Sequence, residues 1–187
     1  IYSSSFNGAE EKDLTPYPNV VVYPADYLKD VQDEILIQMN KEDATVFDVY
    51  KLNVKTGETK LVAKNPGNIG GWLTDSNGQV RLALETDGVV GTILYRETEE
   101  DEFKPFISID AGDTVSPLGF SKDNQFIYAL SNKGRDKIEL VKYDLKGNEE
   151  VIFSNPNVDV LGAAYNLEKD QILYALYETD KYNFEFF

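Results

Sequence analysis

The apolar and polar positions of this chain alternate in short runs that are separated by turn residues. In the run Ile138–Leu145 apolar and polar residues take turns, and a Gly-containing turn follows, which is typical of a half-buried strand that enters a hairpin. The neighbouring runs Val115–Ser121, Gln125–Ser131 and Glu149–Phe153 are also bounded by turn residues. These four runs predict one four-stranded antiparallel sheet.

The second strand of this predicted sheet recurs at a fixed spacing. The six residues that start at Gln79 return from Gln125 and again from Gln171, 46 residues apart each time, and every copy ends in Ala-Leu. A fainter copy starts at Asp33. A period of about 40–50 residues with β-type sequence is typical of propeller blades, which stack because one small sheet cannot bury both faces. The predicted fold class is therefore all-β, a β-propeller segment of about four blade-equivalents.

The same frame predicts strands in the other units. They are Val20–Tyr27, Glu34–Met39, Val46–Val54 and Thr59–Ala63, then Ile69–Thr74, Gln79–Glu85, Val90–Arg96 and Phe103–Ile109, and finally Val160–Asn166, Gln171–Tyr177 and Tyr182–Phe187. The predicted divisions are outer strands of a preceding blade at 1–18, blades at 19–67, 68–112 and 113–157, and a partial blade at 158–187. Partial units at both ends favour a piece of a larger propeller. Closure into a four-unit ring and a non-repeating β-sandwich are the alternatives.

The composition of the chain argues against nucleic-acid binding and membrane association. The chain of 187 residues carries 33 acidic and 18 basic residues, a net charge of −15. Such a chain repels phosphate backbones, so we expect no nucleic-acid binding. No apolar stretch approaches the roughly 18 residues that span a bilayer, so no membrane partner is expected. The absence of cysteine fits a cytoplasmic location, and a periplasmic one is also compatible.

The chemistry of the common active sites is missing. The sequence has no histidine and no cysteine, so it offers neither a Ser-His-Asp triad nor a Cys-His dyad, and no catalytic, cofactor or metal residue is predicted. Carboxylates alone could form a glycosidase pair from Asp110, Asp113 and Asp159. The fragment Asp75–Gly78 resembles the start of a calcium loop, but it lacks the distant Glu and is better explained by a hairpin turn.

Several motifs resemble a known family. The segments Phe47–Gly57 and Asn65–Asp75, with Asp13–Tyr17, Pro117–Ser121 and Gly134–Asp136, resemble the propeller of prolyl oligopeptidase-family serine peptidases. In particular, they resemble the bacterial acylaminoacyl-peptidase-like and dipeptidyl-peptidase-like members. The resemblance covers nearly the whole chain, but its motifs specify blades and provide no catalytic residue.

The resemblance implies partners for the chain. It implies a separate α/β-hydrolase domain that holds the catalytic residues, with peptides as substrates of the longer protein. The propeller would then be the non-catalytic part that controls access to the cleft and supports it. The alternative is a stand-alone scaffold similar to TolB propellers, which would bind a protein or peptide partner. The chain begins at Ile1 without Met and ends within a predicted strand, so we expect exposed strand edges that could favour self-association.

A few residues are candidates for the channel wall. Gly70, Gly71, Trp72, Gly119 and Gly162 lie in predicted first strands, which would face the central channel. The glycines equally fit simple close packing of strands, which we favour over ligand contact. Trp72 fits a core position better than a substrate platform.

Overall fold

A computed structural model describes residues 1–29 and 31–187 of the chain. In this part the backbone forms strands and no helix, so no helix is long and apolar enough to cross a bilayer. The strands are β1 (Tyr2–Ser3), β2 (Lys12–Asp13), β3 (Val22–Asp26), β4 (Glu34–Met39), β5 (Asp48–Asn53), β6 (Thr59–Ala63), β7 (Ile69–Thr74), β8 (Val80–Thr86), β9 (Gly91–Tyr95), β10 (Lys104–Ile109), β11 (Val115–Phe120), β12 (Phe126–Ser131), β13 (Glu139–Asp144), β14 (Glu149–Phe153), β15 (Val160–Asn166), β16 (Gln171–Glu178) and β17 (Tyr182–Phe186).

These strands form one sheet per repeat. The first sheet has the order β3-β4-β5-β6, the second β7-β8-β9-β10 and the third β11-β12-β13-β14, all antiparallel. The fourth sheet, β15-β16-β17, has three strands, and β1 and β2 form a separate pair. Each strand therefore pairs with its sequence neighbour, as in propeller blades, and the predicted all-β propeller fold is confirmed.

The repeated Ala-Leu dipeptides occupy equivalent places. Ala83, Ala129 and Ala175 lie in the second strands of successive sheets, and all three are fully buried. In the first sheet this position is Ile37, which is also fully buried, against the N-terminal segment. A small side chain lets the preceding sheet approach closely, whereas the isoleucine packs in a cluster with Leu14 of the N-terminal segment.

Hydrophobic cores lie between successive sheets. Leu36, Val49, Ala63 and Val80 bury the interface of the first and second sheets. The interface of the second and third sheets holds Leu82, Ile93, Ile107, Val115, Phe120, Ile127, Ala129, Val141 and Tyr143. A smaller cluster of Leu140, Val160 and Ala175 joins the third sheet to the fourth. The sheets therefore stack side by side, and the interface thins towards the fourth sheet.

The two outer sides of the stack differ. The free side of the first sheet is covered by the N-terminal segment, whose Leu14 packs on Met39 and Leu52. On the fourth sheet, Phe184 and Phe186 of β17 remain 48% and 72% exposed. The four sheets thus do not close into a ring by packing the fourth sheet on the first.

One local expectation, the burial of a predicted strand, was wrong. The strand predicted at Ile138–Leu145 as half-buried is β13, in which Leu140, Val141 and Tyr143 are buried on both faces because the third sheet is sandwiched between two others. In the acidic turn 99–102, Glu100, Asp101 and Glu102 are exposed. The Glu99 carboxylate accepts the Val80 N–H at 3.1 Å and binds the Lys51 ammonium at 2.8 Å.

Candidate functional site

The first strands of the four sheets end at one shared cleft. Its volume is about 980 Å³, and it opens to solvent at one end of the stack. Each sheet supplies residues from the carboxyl end of its first strand: Asp26 of β3, Thr74 of β7, Gly119 and Phe120 of β11, and Tyr165 and Asn166 of β15. These strands are edge strands, because each pairs on one side only. The cleft therefore lies where the central channel of a propeller is expected.

Hydrogen bonds between neighbouring turns shape the rim of the cleft. Thr74 Oγ1 donates to Asp26 Oδ2 at 2.5 Å, which ties the second sheet to the first. Ser76 Oγ donates to the Lys122 carbonyl at 2.8 Å, and the Ser76 N–H donates to Asn124 Oδ1 at 2.9 Å. These partners are 46–48 residues apart, about one repeat, so the repeat places each turn beside the next.

Similar contacts between turns join the third and fourth sheets at the rim of the cleft. The Lys122 N–H donates to Tyr165 Oη at 3.0 Å, and its ammonium donates to the Glu168 carbonyl at 3.0 Å. Lys29, from the turn after β3, forms an ion pair with the Glu168 carboxylate at 2.8 Å, which connects the first and fourth sheets. Both side chains are 79% exposed, so this connection is a weak, salt-sensitive one.

Three titratable groups in or beside the cleft have shifted pKa values. Burial, together with the hydrogen bond donated to Asp170, raises the pKa of Tyr165 far above its ordinary value. Burial and the nearby Asp170 and Asp123 also raise the pKa of Tyr128. The hydrogen bond from Lys29 lowers the pKa of Glu168. At neutral pH the tyrosines therefore remain neutral hydroxyls and Glu168 remains a carboxylate, so neither tyrosine serves as a base.

The residues predicted to face the channel lie in first strands. Gly119 lines the cleft, and Gly162 lies in β15 with open space where a Cβ would stand. Gly70 is exposed, whereas a Cβ on Gly71 would come within 2.9 Å of a methyl group of Leu84, so Gly71 permits close packing. Trp72 packs beside Phe103 at the interface of the first and second sheets, with ring centroids 5.6 Å apart. Contact of any of the five with a ligand stays a prediction.

One of the three carboxylates proposed for a glycosidase pair, that of Asp159, has a structural role in this fold. Asp159 Oδ1 accepts the Ile138 N–H at 2.7 Å and so fixes the link between the third and fourth sheets. Asp110 and Asp113 belong to the turn before β11, where the Asp113 N–H donates to the Asp110 carbonyl. Within residues 1–29 and 31–187, no three acidic side chains cluster as metal ligands would.

The calcium-like fragment is a hairpin turn. Asp75 Oδ1 accepts the N–H groups of Asn77 and Gln79, and Asp75 Oδ2 binds Arg81 at 3.1 Å. The turn joins β7 to β8. Its carboxylate is thus satisfied by the backbone and a guanidinium.

Sequence reasoning missed the residues of the rim. Lys122 and Glu168 belong to turns that the repeat frame predicted only as connections, and Tyr165 belongs to a predicted first strand. The available signal was their spacing, because Ser76 and Lys122 are 46 residues apart. A turn that recurs with the period of the sheets must stand beside its counterpart once the sheets stack.

Comparisons with known proteins give the family context. The chain is 27% identical over 165 residues to dipeptidyl aminopeptidase BIII of Pseudoxanthomonas mexicana; this match includes 87% of the chain and 24% of the relative. The chain is a propeller segment whose sequence is similar to part of the dipeptidyl peptidases. It therefore spans about a quarter of the length of this curated relative. No model of a known protein family matches the chain.

Solved structures agree on the fold. TolB from Acinetobacter baumannii matches 98% of this propeller segment with a TM-score of 0.66 and 12% identity, over 44% of its own length. Dipeptidyl peptidase 4 from Porphyromonas gingivalis matches 78% of the segment with a TM-score of 0.55 and 12% identity, over 21% of its own length. At such identities the likeness shows the propeller architecture alone.

Proposed function

We propose that this chain is the non-catalytic propeller part of a serine peptidase. In that longer protein, a separate α/β-hydrolase domain carries the catalytic residues, and the propeller supports the cleft and limits which peptides reach it. The chain itself catalyses no hydrolysis. The observation that carries the proposal is the alignment with a dipeptidyl aminopeptidase over 87% of the chain, which matches only a quarter of that enzyme.

The geometry of the cleft supports a role in access. First strands from four sheets surround one opening, and hydrogen bonds between their turns hold its rim. Selection by size requires a rigid opening of limited width and no reactive group. The sequence, which has neither histidine nor cysteine, agrees with this division of roles.

The first test uses the chain alone. Purified residues 1–187 should neither hydrolyse fluorogenic dipeptidyl amides nor react with a serine-directed fluorophosphonate. Stoichiometric labelling by the fluorophosphonate, or turnover that persists through purification, would contradict the assignment of catalysis to another domain.

The second test addresses access in the longer protein. Glu168→Ala removes the ion pair that ties the fourth sheet to the first across the cleft. We expect cleavage of peptides of about thirty residues to rise relative to cleavage of a dipeptidyl amide. Glu150→Ala is the control, because it removes an ion pair between an outer strand and its neighbour, that of Glu150 with Lys142, away from the cleft. Equal ratios for both variants and the parent enzyme would count against gating.

A second candidate function is a stand-alone scaffold, similar to TolB propellers, that binds a protein or peptide partner. The observation in its favour is the match to TolB over 98% of the chain. The coding sequence downstream of residue 187 distinguishes the two candidates. A Gly-x-Ser-x-Gly motif there supports the peptidase, and a stop codon supports the scaffold.

A further inference from the structure

A second cavity lies between the third and fourth sheets. Its volume is about 230 Å³, and we call it the socket. Its lining is mostly apolar and includes Leu118, Gly119, Tyr128, Leu140, Ala163 and Ile172. The rings of Tyr128 and Tyr165 stand 4.9 Å apart at one side of it. The two sheets thus meet around a void, although the rest of their interface is packed.

The register of the sheets explains why this void exists. Leu73 pairs with Leu82 in the second sheet, and the equivalent residue of the third sheet, opposite Tyr128, is Gly119. Leu73 packs into the core between the second and third sheets. At the next interface the same position has no side chain, and open space surrounds the place where a Cβ on Gly119 would stand.

The facing position is small at the same interface. Ala163, opposite Ala175 in the fourth sheet, corresponds to Trp72, opposite Ala83 in the second. Trp72 fills the space between the first and second sheets. Among the described interfaces, only that of the third and fourth sheets has small residues at both positions, Gly119 on one sheet and Ala163 on the other. The socket therefore occupies space that larger side chains fill at the other interfaces.

The socket opens into the cleft. Gly119 and Tyr165 line both cavities, and Leu118 at the rim is 43% exposed. An apolar cavity of about 150 Å³ is large enough to hold benzene and stays free of water, so a socket of this size accommodates a phenyl or isobutyl group. Filling it restores dispersion contacts that the void forgoes.

The strands beside the socket suit a peptide ligand. Both β11 and β15 are edge strands, which can bond to an added extended segment. Leu118 is the extra residue of a β-bulge between Pro117 and Gly119, and such bulges redirect side chains at sheet edges. An extended peptide along β11 would therefore present alternate side chains towards the socket.

Charge selects among peptides. The adjoining cleft is lined by the carboxylates of Asp26 and Glu168 and by the ammonium groups of Lys29 and Lys122. The Asp170 carboxylate accepts the Lys122 N–H beside them. The chain as a whole has a net charge of −15. A peptide with basic residues beside its apolar side chain is therefore attracted, and an acidic one is repelled.

We propose that the socket binds the side chain of a leucine or phenylalanine in an extended basic peptide that runs along the edge of β11. This specificity rests on the proposed function only in taking peptides as the ligand class, and it needs no hydrolase domain. The isolated chain should therefore show it directly.

The binding experiment uses residues 1–187 and dye-labelled, end-blocked peptides in fluorescence anisotropy. Gly-Lys-Phe-Lys-Gly should bind about ten- to hundredfold more tightly than Gly-Lys-Gly-Lys-Gly, because only the first fills the socket. Gly-Glu-Phe-Glu-Gly should bind more weakly than the lysine peptide, and the difference should shrink as salt is added.

Two variants locate the site. Ala163→Leu fills the socket and should reduce the phenylalanine peptide to the affinity of the glycine peptide, whereas Ala111→Leu, on an exposed turn, should leave binding unchanged. Leu118→Ser alters the half-exposed rim and should weaken binding severalfold, so the test stands even if Ala163→Leu fails to fold.

Three outcomes would overturn the proposal. They are equal binding of the phenylalanine and glycine peptides, full binding by a folded Ala163→Leu variant, and binding that Leu118→Ser does not alter. A socket that binds peptide in a chain whose longer protein shows no size selection would leave this inference standing and remove the gating proposal. Size selection by the longer protein without peptide binding at the socket would leave the gating proposal standing and remove this inference.

Discussion

The second and fourth sheets carry the same backbone irregularity with different side chains. In each, the second strand holds an extra residue near its start, where the register with the first strand shifts. The extra residue is Arg81 in the second sheet and Leu173 in the fourth. Arg81 is 6% exposed and Leu173 is 37% exposed. The comparison shows how one bulge is used in a covered sheet and in an open one.

In the covered sheet the bulge turns a charged group inwards. Arg81 Nε donates to the Arg96 carbonyl at 2.9 Å, and its Nη1 binds Asp75 at 3.1 Å. Its guanidinium carbon lies 5.1 Å and 5.6 Å from the ring centroids of Tyr95 and Phe120. Almost every polar atom of this buried arginine is thus paired, which is the condition under which a buried charge is tolerated.

In the open sheet the same positions need no ion pair. Asn166, which corresponds to Asp75, accepts the Lys169 N–H at 3.0 Å and so closes the turn without a net charge. Leu173 lines the cleft. The bulge is therefore a property of the repeat. The type of residue at the bulge depends on whether a neighbouring sheet covers that position.

The largest loss of stability is expected when Arg81 of the second sheet is replaced by leucine, the residue found at the equivalent bulge of the fourth sheet. Arg81→Leu leaves the Asp75 carboxylate, 1% exposed, without its cation, and should cost about 3–5 kcal/mol of stability. Urea denaturation followed by circular dichroism measures the loss.

The double variant sharpens this test. Asp75→Asn together with Arg81→Leu copies the pair found in the fourth sheet, and the amide oxygen can still accept the turn N–H groups. We expect the double variant to recover most of the loss, because replacing a buried ion pair is often close to neutral. If the double variant is no more stable than Arg81→Leu, the loss of stability does not come from the unpaired Asp75 carboxylate.

A second prediction compares the loss of stability when equivalent isoleucines of two sheets are truncated to alanine. Ile127 of the third sheet and Ile172 of the fourth are equivalent in register, but Ile127 is 1% exposed and Ile172 is only half-buried beside the socket. Ile127→Ala should cost about 2–5 kcal/mol, and Ile172→Ala clearly less. Equal losses in denaturation experiments would show that the fourth sheet is as tightly packed as the third.

The smallest effect concerns an ion pair of intermediate exposure. Burial opposes ionisation of Glu149, but hydrogen bonds from Arg135 and Tyr143 prevail and lower its pKa from the ordinary 4.5. The carboxylate therefore contributes stability that is fully present above pH 4.5 and is lost as the pH falls through its lowered value. Glu149→Gln should cost about 1 kcal/mol at pH 7, since the pair is partly solvated.

The pH dependence provides the check. The gap in stability between the parent chain and Glu149→Gln should stay constant from pH 7 to 5 and narrow below pH 4.5. Glu150→Gln, which alters the more exposed neighbouring carboxylate, should change stability little at pH 7. A Glu149→Gln gap that widens on acidification would reverse the assigned direction of the pKa.

The repeat predicted much of the fold and little of the site. Ala83, Ala129 and Ala175 marked equivalent strands, since a period of 46 residues is visible in the sequence and a period-two alternation marks strands. The bulges were not foreseen, because an extra residue in one strand is compensated by the length of the neighbouring turn. Numbering alone makes Arg81 the counterpart of Ile127, whereas the register makes Val80 that counterpart.

The site depends on contacts between repeats, which no single repeat encodes. Lys122 and Tyr165 read as turn and strand residues, and their hydrogen bond exists only because two sheets stand side by side. The socket is likewise a relation between Gly119 and Ala163, two small residues that look ordinary until they face each other.

The amino-acid sequence alone predicts a stack of small antiparallel sheets, and it shows that this chain supplies no histidine or cysteine for catalysis. Both conclusions follow from local information, namely spacing, alternation and composition. The tertiary structure decided which side chains meet at the cleft, which charges are buried and where a void is left. Those outcomes depend on how two neighbouring sheets fit, and the fit is fixed by side-chain volumes summed across an interface.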